Sequence, residues 1–243
     1  LVELARLSAG SEPTPAWARL RAGIAWMSMM LGDLSSAVMF GRASLDMARA
    51  VDDATTTAAA LLCLGAAGQG EGLADRAVDY LDDALSIWRR VGKPTEMAEG
   101  HARLGDAQWR LGESERAAEH FSKAGALSDR DGASVTHAHV LLLRAWFARC
   151  ERDESTAHDR ARAATKIIRR NRVDTLLPSA LETFACLATR DGYAARAVRL
   201  FAAASAARLR YGVPASPVTV TDLAPSGRAH AARFTDRIGR EVV

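Results

Sequence analysis

Leu104-Gly105-Asp106-Ala107-Gln108-Trp109-Arg110-Leu111-Gly112-Glu113-Ser114-Glu115-Arg116-Ala117-Ala118-Glu119-His120-Phe121-Ser122-Lys123-Ala124 contains two helical patterns separated by a glycine. At that break Gly112 can take the left-handed conformation that ends a helix at low steric cost. The spacing recurs along the chain. Gly32, Gly72 and Gly112 are 40 residues apart, Arg152 holds the fourth place, and Gly192 the fifth. Five residues later Ala37, Ala77, Ala117, Ala157 and Ala197 form an unbroken column. Seven further on, Ser44, Ala84, Ala124, Ala164 and Ala204 form another, all small. Five copies without insertion or deletion predict an array of stacked helix pairs.

The two small columns lie seven residues apart, two turns along one face of each second helix. Small side chains there let the paired helices approach closely. Residues Leu73 to Leu85 carry apolar positions at helical spacing, with acids filling the outer face. Breakers separate the pairs: Gly92-Lys93-Pro94, Asp131-Gly132, and Leu177-Pro178 before the fifth. A unit of this kind cannot bury its apolar face alone and must stack on neighbours.

The wider composition agrees. The chain has 243 residues, 49% hydrophobic and 25% charged, with only 6% aromatics, and Ala and Leu dominate, as suits helices. β-branched alternation is confined to Pro217-Val218-Thr219-Val220-Thr221. A net charge of +3 argues against a dedicated nucleic-acid surface. Three cysteines, Cys63, Cys150 and Cys186, make no disulfide framework and suit reduced thiols. With no apolar run long enough to span a bilayer and no secretory-type start, the expectation is a cytoplasmic protein away from membranes.

Shifted back by one period, Leu1 to Leu7 align with Gly41 to Met47 in the middle of a second helix. The expected organisation is therefore a remnant of a preceding repeat and linker over 1–15, five repeats over 16–212, and a linker with a capping helix over 213–243. Such a start reads as a segment of a longer polypeptide, whose exposed Leu1, Leu4 and Leu7 would invite a homodimer.

The pattern Leu104-Gly105, Gly112, Ala117, Phe121 and Ala124 resembles the tetratricopeptide family over about Ala16 to Tyr211. The resemblance implies an all-α, right-handed superhelical solenoid of about five tetratricopeptide-like helix pairs. A 40-residue period exceeds the usual 34 and implies longer helices or longer connections. Arg196-Ala197-Val198-Arg199-Leu200-Phe201-Ala202-Ala203-Ala204, followed by Arg208 and Tyr211-Gly212-Val213-Pro214, is similar to the last repeat of one region in particular. That region is the sensor of large bacterial NTPase transcription regulators, the group of the maltose-regulon activator and LuxR-type proteins. In that group, inducer binding to the repeats would release an autoinhibited NTPase. No helix-turn-helix reader matches here.

Signatures of catalysis are missing. Gly65-Ala66-Ala67-Gly68-Gln69-Gly70-Glu71-Gly72 lacks the Gly-Lys-Ser/Thr ending of a phosphate loop and follows a helix, so it reads as a frayed helix end. His137 and His139, two apart on a helix, point away from each other and make poor metal ligands. No nucleophile elbow occurs. The basic run Lys166 to Arg172 suits a helix C-terminus, and the Arg228, Arg233, Arg237 and Arg240 series a polar cap. No cofactor or metal is expected.

If first helices line the concave face, as the resemblance implies, three columns fall there. They read Arg19, Ala59, Glu99, His139 and Ser179; Trp26, Ala66, Asp106, Trp146 and Cys186; and Met29, Gln69, Trp109, Arg149 and Thr189. Candidate ligand-binding residues are thus Trp26, Met29, Asp106, Trp109, His139, Trp146 and Arg149. Tryptophan offers a large apolar face and one donor, and Arg149 could clamp a carboxylate. The alternative is that these tryptophans fill the core between pairs, as Trp17 and Trp88 are expected to do.

Three function classes follow. The first is a regulatory repeat domain sensing a small-molecule inducer or a protein or peptide partner in the groove, as part of a larger bacterial transcription regulator. The second is a protein-interaction scaffold or oligomerisation module. In the third, an enzyme, Asp106, Glu182 or His139 would do acid–base work in the helical cavity. The expectation is the first, with binding and no catalysis.

Overall fold

The computed structural model describes residues 12–70, 74–129 and 134–213. The chain divides into two compact units, Leu1–Val213 and Pro214–Val243. The second unit lies outside the described residues. So do residues 1–11 of the remnant expected over 1–15, with the apolar Leu1, Leu4 and Leu7, and the capping helix, its arginine series and the Pro217–Thr221 stretch.

Among the described residues the first unit is all helical, a helical-repeat solenoid of five antiparallel pairs. The pairs are α1 (Pro15–Met30) with α2 (Leu34–Ala50), α3 (Ala54–Gly70) with α4 (Ala74–Val91), and α5 (Pro94–Arg110) with α6 (Ser114–Ser128). They continue with α7 (Val135–Cys150) and α8 (Glu154–Asn171), then α9 (Leu177–Arg190) and α10 (Ala194–Tyr211). A short 3-10 turn, Asp174–Leu176, precedes α9. The long period goes into helix length, since only residues 31–33, 111–113, 151–153 and 191–193 separate the helices within the first, third, fourth and fifth pairs. Gly65 to Gly70 also continue α3, a correction to the frayed end expected there. Ala-rich sequence tolerates those glycines because the helix is held by packing on both sides.

Local chemistry sets the boundaries. Thr14 and Asp33 accept from the backbone N–H groups of Trp17 and Ser36, and Asp53, Ser134 and Asp153 do the same for Thr56, His137 and Thr156. Pro94 and Pro178 occupy the first turns of α5 and α9. Gly32, Gly112 and Gly192 have φ of 77°, 82° and 81°, and Arg152 in the same column takes 63°. The far ends of the first, second, fourth and fifth pairs have a matching column: Asp52, Gly92, Arg172 and Gly212 have φ of 53°, 73°, 52° and 64°. Those positions are also spaced by multiples of 40, and with Gly132 the column holds Gly at three of five places against four of five in the first column, so its signal is fainter.

The small columns lie where expected. Ala37, Ala77, Ala117 and Ala157 are fully buried and Ala197 nearly so. Ser44 keeps its place in the second column by donating its hydroxyl to the Ala18 carbonyl at 2.8 Å, which satisfies a buried polar group. Gly105 serves the same close approach from the first helix. A Cβ there would sit 3.1 Å from the Phe121 ring and 3.2 Å from the Ala117 carbonyl.

First helices of consecutive pairs pack on one another, as α1 does on α3, α5 on α7 and α7 on α9, whereas consecutive second helices are splayed apart. The array therefore curves with its first helices on the inside. A Cβ at Gly212 would lie 4.0 Å from Cδ2 of Leu31, so the end of the fifth pair comes back to the turn of the first. No described helix is long and apolar enough to cross a membrane.

Candidate functional site

The inner face of the third and fourth pairs carries a row of charges. On α5, Glu99, Arg103, Asp106 and Arg110 follow one another at helical spacing, acid and base alternating. Arg103 Nε donates to Glu99 Oε1 at 2.8 Å, and Arg110 Nε donates to both Asp106 oxygens at 3.2 Å. From α7, His139 Nδ1 reaches Glu99 Oε2 at 2.8 Å; opposite an ionised carboxylate that nitrogen is the donor. Glu99 and Asp106 are only 8% and 5% exposed, unusual for carboxylates on a solenoid's inner surface.

Burial pulls both carboxyls toward the neutral form, but the two end differently. At Glu99 burial is outweighed by His139 and Arg103, whose charges and hydrogen bonds hold it down at about 2. At Asp106 burial prevails over Arg110 and the more distant Arg103 and His139, and the carboxyl sits above its usual range. Two carboxylates on one helix face are thus driven apart by their neighbours.

An aromatic cluster adjoins the row. Trp109 meets Trp146 edge-on at 5.9 Å and Phe147 edge-on at 5.4 Å, and Phe147 leans on Phe121 at 4.8 Å. Trp146 is buried while Trp109 stays half-buried. At the end of α5, Gln108 Oε1 and Arg110 Nη2 are buried without a hydrogen-bond partner. Each such atom costs on the order of 1–3 kcal/mol.

Of the seven residues expected from sequence, the structure gathers Asp106, Trp109, His139 and Trp146 around this row. Arg149, half-buried at the end of α7, accepts at its main-chain carbonyl from Arg190 Nη1 at 2.6 Å. Trp26 and Met29 sit on α1, two pairs away, with Trp26 packed on the core of Leu45, Leu61 and Leu81. Trp17 packs on Met47 and Trp88 is fully enclosed. Glu182 is taken up by Arg208, whose Nε donates to it at 2.7 Å. The sequence reading left Glu99, Arg103, Arg110 and Phe147 off the site. The signal that finds the three charged ones is the repeated acid-x-x-x-Arg spacing on α5; nothing in that spacing marks Phe147.

His137 turns the other way from His139 and bonds the Ser128 carbonyl at 2.9 Å. Among the described residues no three of His, Cys, Asp and Glu are grouped to hold a metal. The three cysteines form no disulfide.

Residues 56–129 match the tetratricopeptide repeat family. No curated protein matches the chain in sequence. Among solved structures, the apo form of RapI is 12% identical with a TM-score of 0.61, over 86% of this chain and 89% of that one. Aspartyl phosphate phosphatase F from Bacillus subtilis is 14% identical with a TM-score of 0.62, over 82% of this chain and 51% of that one. This chain thus spans about half that phosphatase. BtubC from P. vanneervenii is 19% identical with a TM-score of 0.59, over 88% of this chain and 89% of that one. At these identities the likeness is one of fold.

Proposed function

We propose that this chain is a regulatory binding domain that takes a ligand or peptide on the inner face of its third and fourth pairs, as the sensing part of a larger transcription regulator. The carrying observation is the buried Arg110 Nη2 without an acceptor, next in the chain to Trp109, whose ring meets Trp146 edge-on. An occupant offering a carboxylate or carbonyl to Arg110 and a flat apolar body to Trp109 would meet both needs. Charge pairs held this deep are weak devices for stability, since their desolvation cost rivals their attraction. Their value lies in orienting donors and in exchanging partners when a ligand arrives.

The proposed action is binding without catalysis. Glu99 is held ionised by its partners, and Asp106, whose burial favours its neutral form, has both oxygens on Arg110. Tetratricopeptide-like folds are suited to protein and peptide partners, and a bound occupant touching both α5 and α7 would bias the angle between the two pairs. That change is what a regulator would read out.

A thermal-shift screen of sugars, short peptides and nucleotides against wild type and Trp109→Ala tests this reading. A ligand that stabilises wild type and loses its effect in the variant supports the site. Equal shifts in both proteins, across all stabilising ligands, would remove it.

A further inference from the structure

His101 and His120 bring two imidazole nitrogens together outside the charged row of α5. His101 lies two residues from both Glu99 and Arg103, and residues two apart on a helix face different ways. From α6, His120 sets its Nδ1 3.0 Å from the Nδ1 of His101, with ring centroids 5.0 Å apart and planes tilted by 49°. The other three described histidines each meet an oxygen: the Ser128 carbonyl for His137, Glu99 for His139 and Asp191 for His158. His101 and His120 instead meet each other's nitrogen. One of the two carries the proton there and donates it to the lone pair of the other.

Imidazole ligates a metal in its neutral form. Burial first, then the His120 charge, lowers the proton affinity of His101 to about 4, and burial first, then Lys123, lowers that of His120. Both rings are therefore neutral near pH 7.5, and no proton competes with a cation. An ion ~2.0–2.1 Å from each nitrogen needs them about 2.9 Å apart at a right angle and about 3.3 Å apart in a tetrahedron. The observed 3.0 Å lies between the two. His101 is 6% exposed and His120 half-buried, so an ion reaches the pair past His120. Arg89 and Lys123 oppose a cation here, but Lys123 Nζ is 2.6 Å from Glu119, and exposed Asp82 on α4 acts on His120 in its favour. No third His, Cys, Asp or Glu is grouped with the two among the described residues, which leaves the other positions on an ion to water.

We propose that His101 and His120 form a site for a divalent transition-metal ion of the zinc type, held between their two Nδ1 atoms with water completing its coordination. Binding exchanges one N–H···N hydrogen bond for two metal–nitrogen bonds. The proton leaves Nδ1 and the Nε2 of the same ring takes one up, so each ring keeps a single proton and the two rings release none. The bound ion ties α5 to α6 within the third pair and therefore stabilises the folded state. The site is separate from the Arg110 region and does not depend on the function proposed for it.

The experiment titrates zinc chloride calorimetrically into wild type, His101→Gln, His120→Gln and His158→Gln in a non-coordinating buffer near pH 7.5. Magnesium chloride, a hard cation that prefers oxygen, is titrated into wild type as the control. Wild type and His158→Gln are expected to bind zinc with the same affinity, and both pair variants at least about tenfold more weakly. His120→Gln changes a half-buried side chain and remains folded, as its circular dichroism will show, so its weaker binding reports the lost ligand and not a lost fold. Zinc binding as tight in His120→Gln as in wild type would overturn the site. Magnesium binding as tightly as zinc would overturn the assignment to imidazole nitrogen. Histidine side-chain NMR gives a second readout: zinc is expected to shift the ring resonances of His101 and His120 together, and a shift confined to His139 or His158 would overturn the pair.

Discussion

His139 Nδ1 lies 2.8 Å from Glu99 Oε2 across the boundary between the third and fourth pairs, and the two residues are separated by one repeat period, 40 residues. The same structural position in two neighbouring repeats thus carries the two halves of one hydrogen-bonded pair. In a double-mutant cycle of Glu99→Gln and His139→Gln, measured by urea unfolding, the coupling is expected to be about 1–3 kcal/mol. A coupling near zero would mean that the two side chains do not depend on each other.

Stability is expected to fall on acidification in two steps. His101, buried with its Nδ1 3.0 Å from that of His120, has its proton affinity lowered by burial first and then by the His120 charge, to about 4 from an ordinary 6.5. The folded state therefore favours neutral His101, and this contribution, complete above pH 6.5, is lost as pH falls toward 4. Glu99, with its carboxyl held at about 2 against an ordinary 4.5, contributes fully above pH 4.5 and fades toward pH 2. Melting temperatures across pH 3 to 8 check both, and His101→Gln is expected to flatten the upper step.

Arg152 and Arg172 occupy left-handed positions, with φ of 63° and 52°, where glycine carries no steric penalty. Arg152→Gly and Arg172→Gly are each expected to stabilise the fold by ~1 kcal/mol. Chemical denaturation of the single variants measures it; a loss of stability would show that these side chains contribute more than their backbone costs.

Ala117→Phe is expected to destabilise by roughly 1–3 kcal/mol or more, because the position is fully buried against Gly105. The third pair should lose protection in hydrogen exchange before its neighbours do. An unchanged unfolding midpoint would contradict the close approach of α5 and α6.

Trp146→Ala is expected to cost about 3–5 kcal/mol as a buried aromatic truncation, and Trp109→Ala clearly less, since Trp109 is half-buried. Their edge-on contact should appear as a coupling of ~1 kcal/mol in the double variant.

Much of the architecture was readable in one dimension. Gly112, Ala117 and Ala124 belong to columns whose physical roles are local: a left-handed turn, then two close contacts within a pair. Each repeat answers mainly to its neighbours, so a period in sequence becomes a period in space. The column of Asp52, Gly92, Arg172 and Gly212 obeys the same rule and was harder to see because two of its members are not glycine. The inner-face columns likewise placed Asp106, Trp109, His139 and Trp146 on adjoining helices.

The pairing within that site was decided by tertiary structure. Whether Glu99 meets His139 depends on the rotation between neighbouring pairs, and whether Arg110 Nη2 finds an acceptor depends on the reach of long side chains around it. A repeat period contains neither quantity. The same holds for Arg144, whose guanidinium lies over Gly125 of α6, and for Arg160, which reaches from α8 to the Arg144 carbonyl. The sequence by itself determined where helices begin, turn and touch, because those requirements are met within a few residues. Which charges are buried, which are paired and which are left facing a cleft followed from how one pair leans on the next.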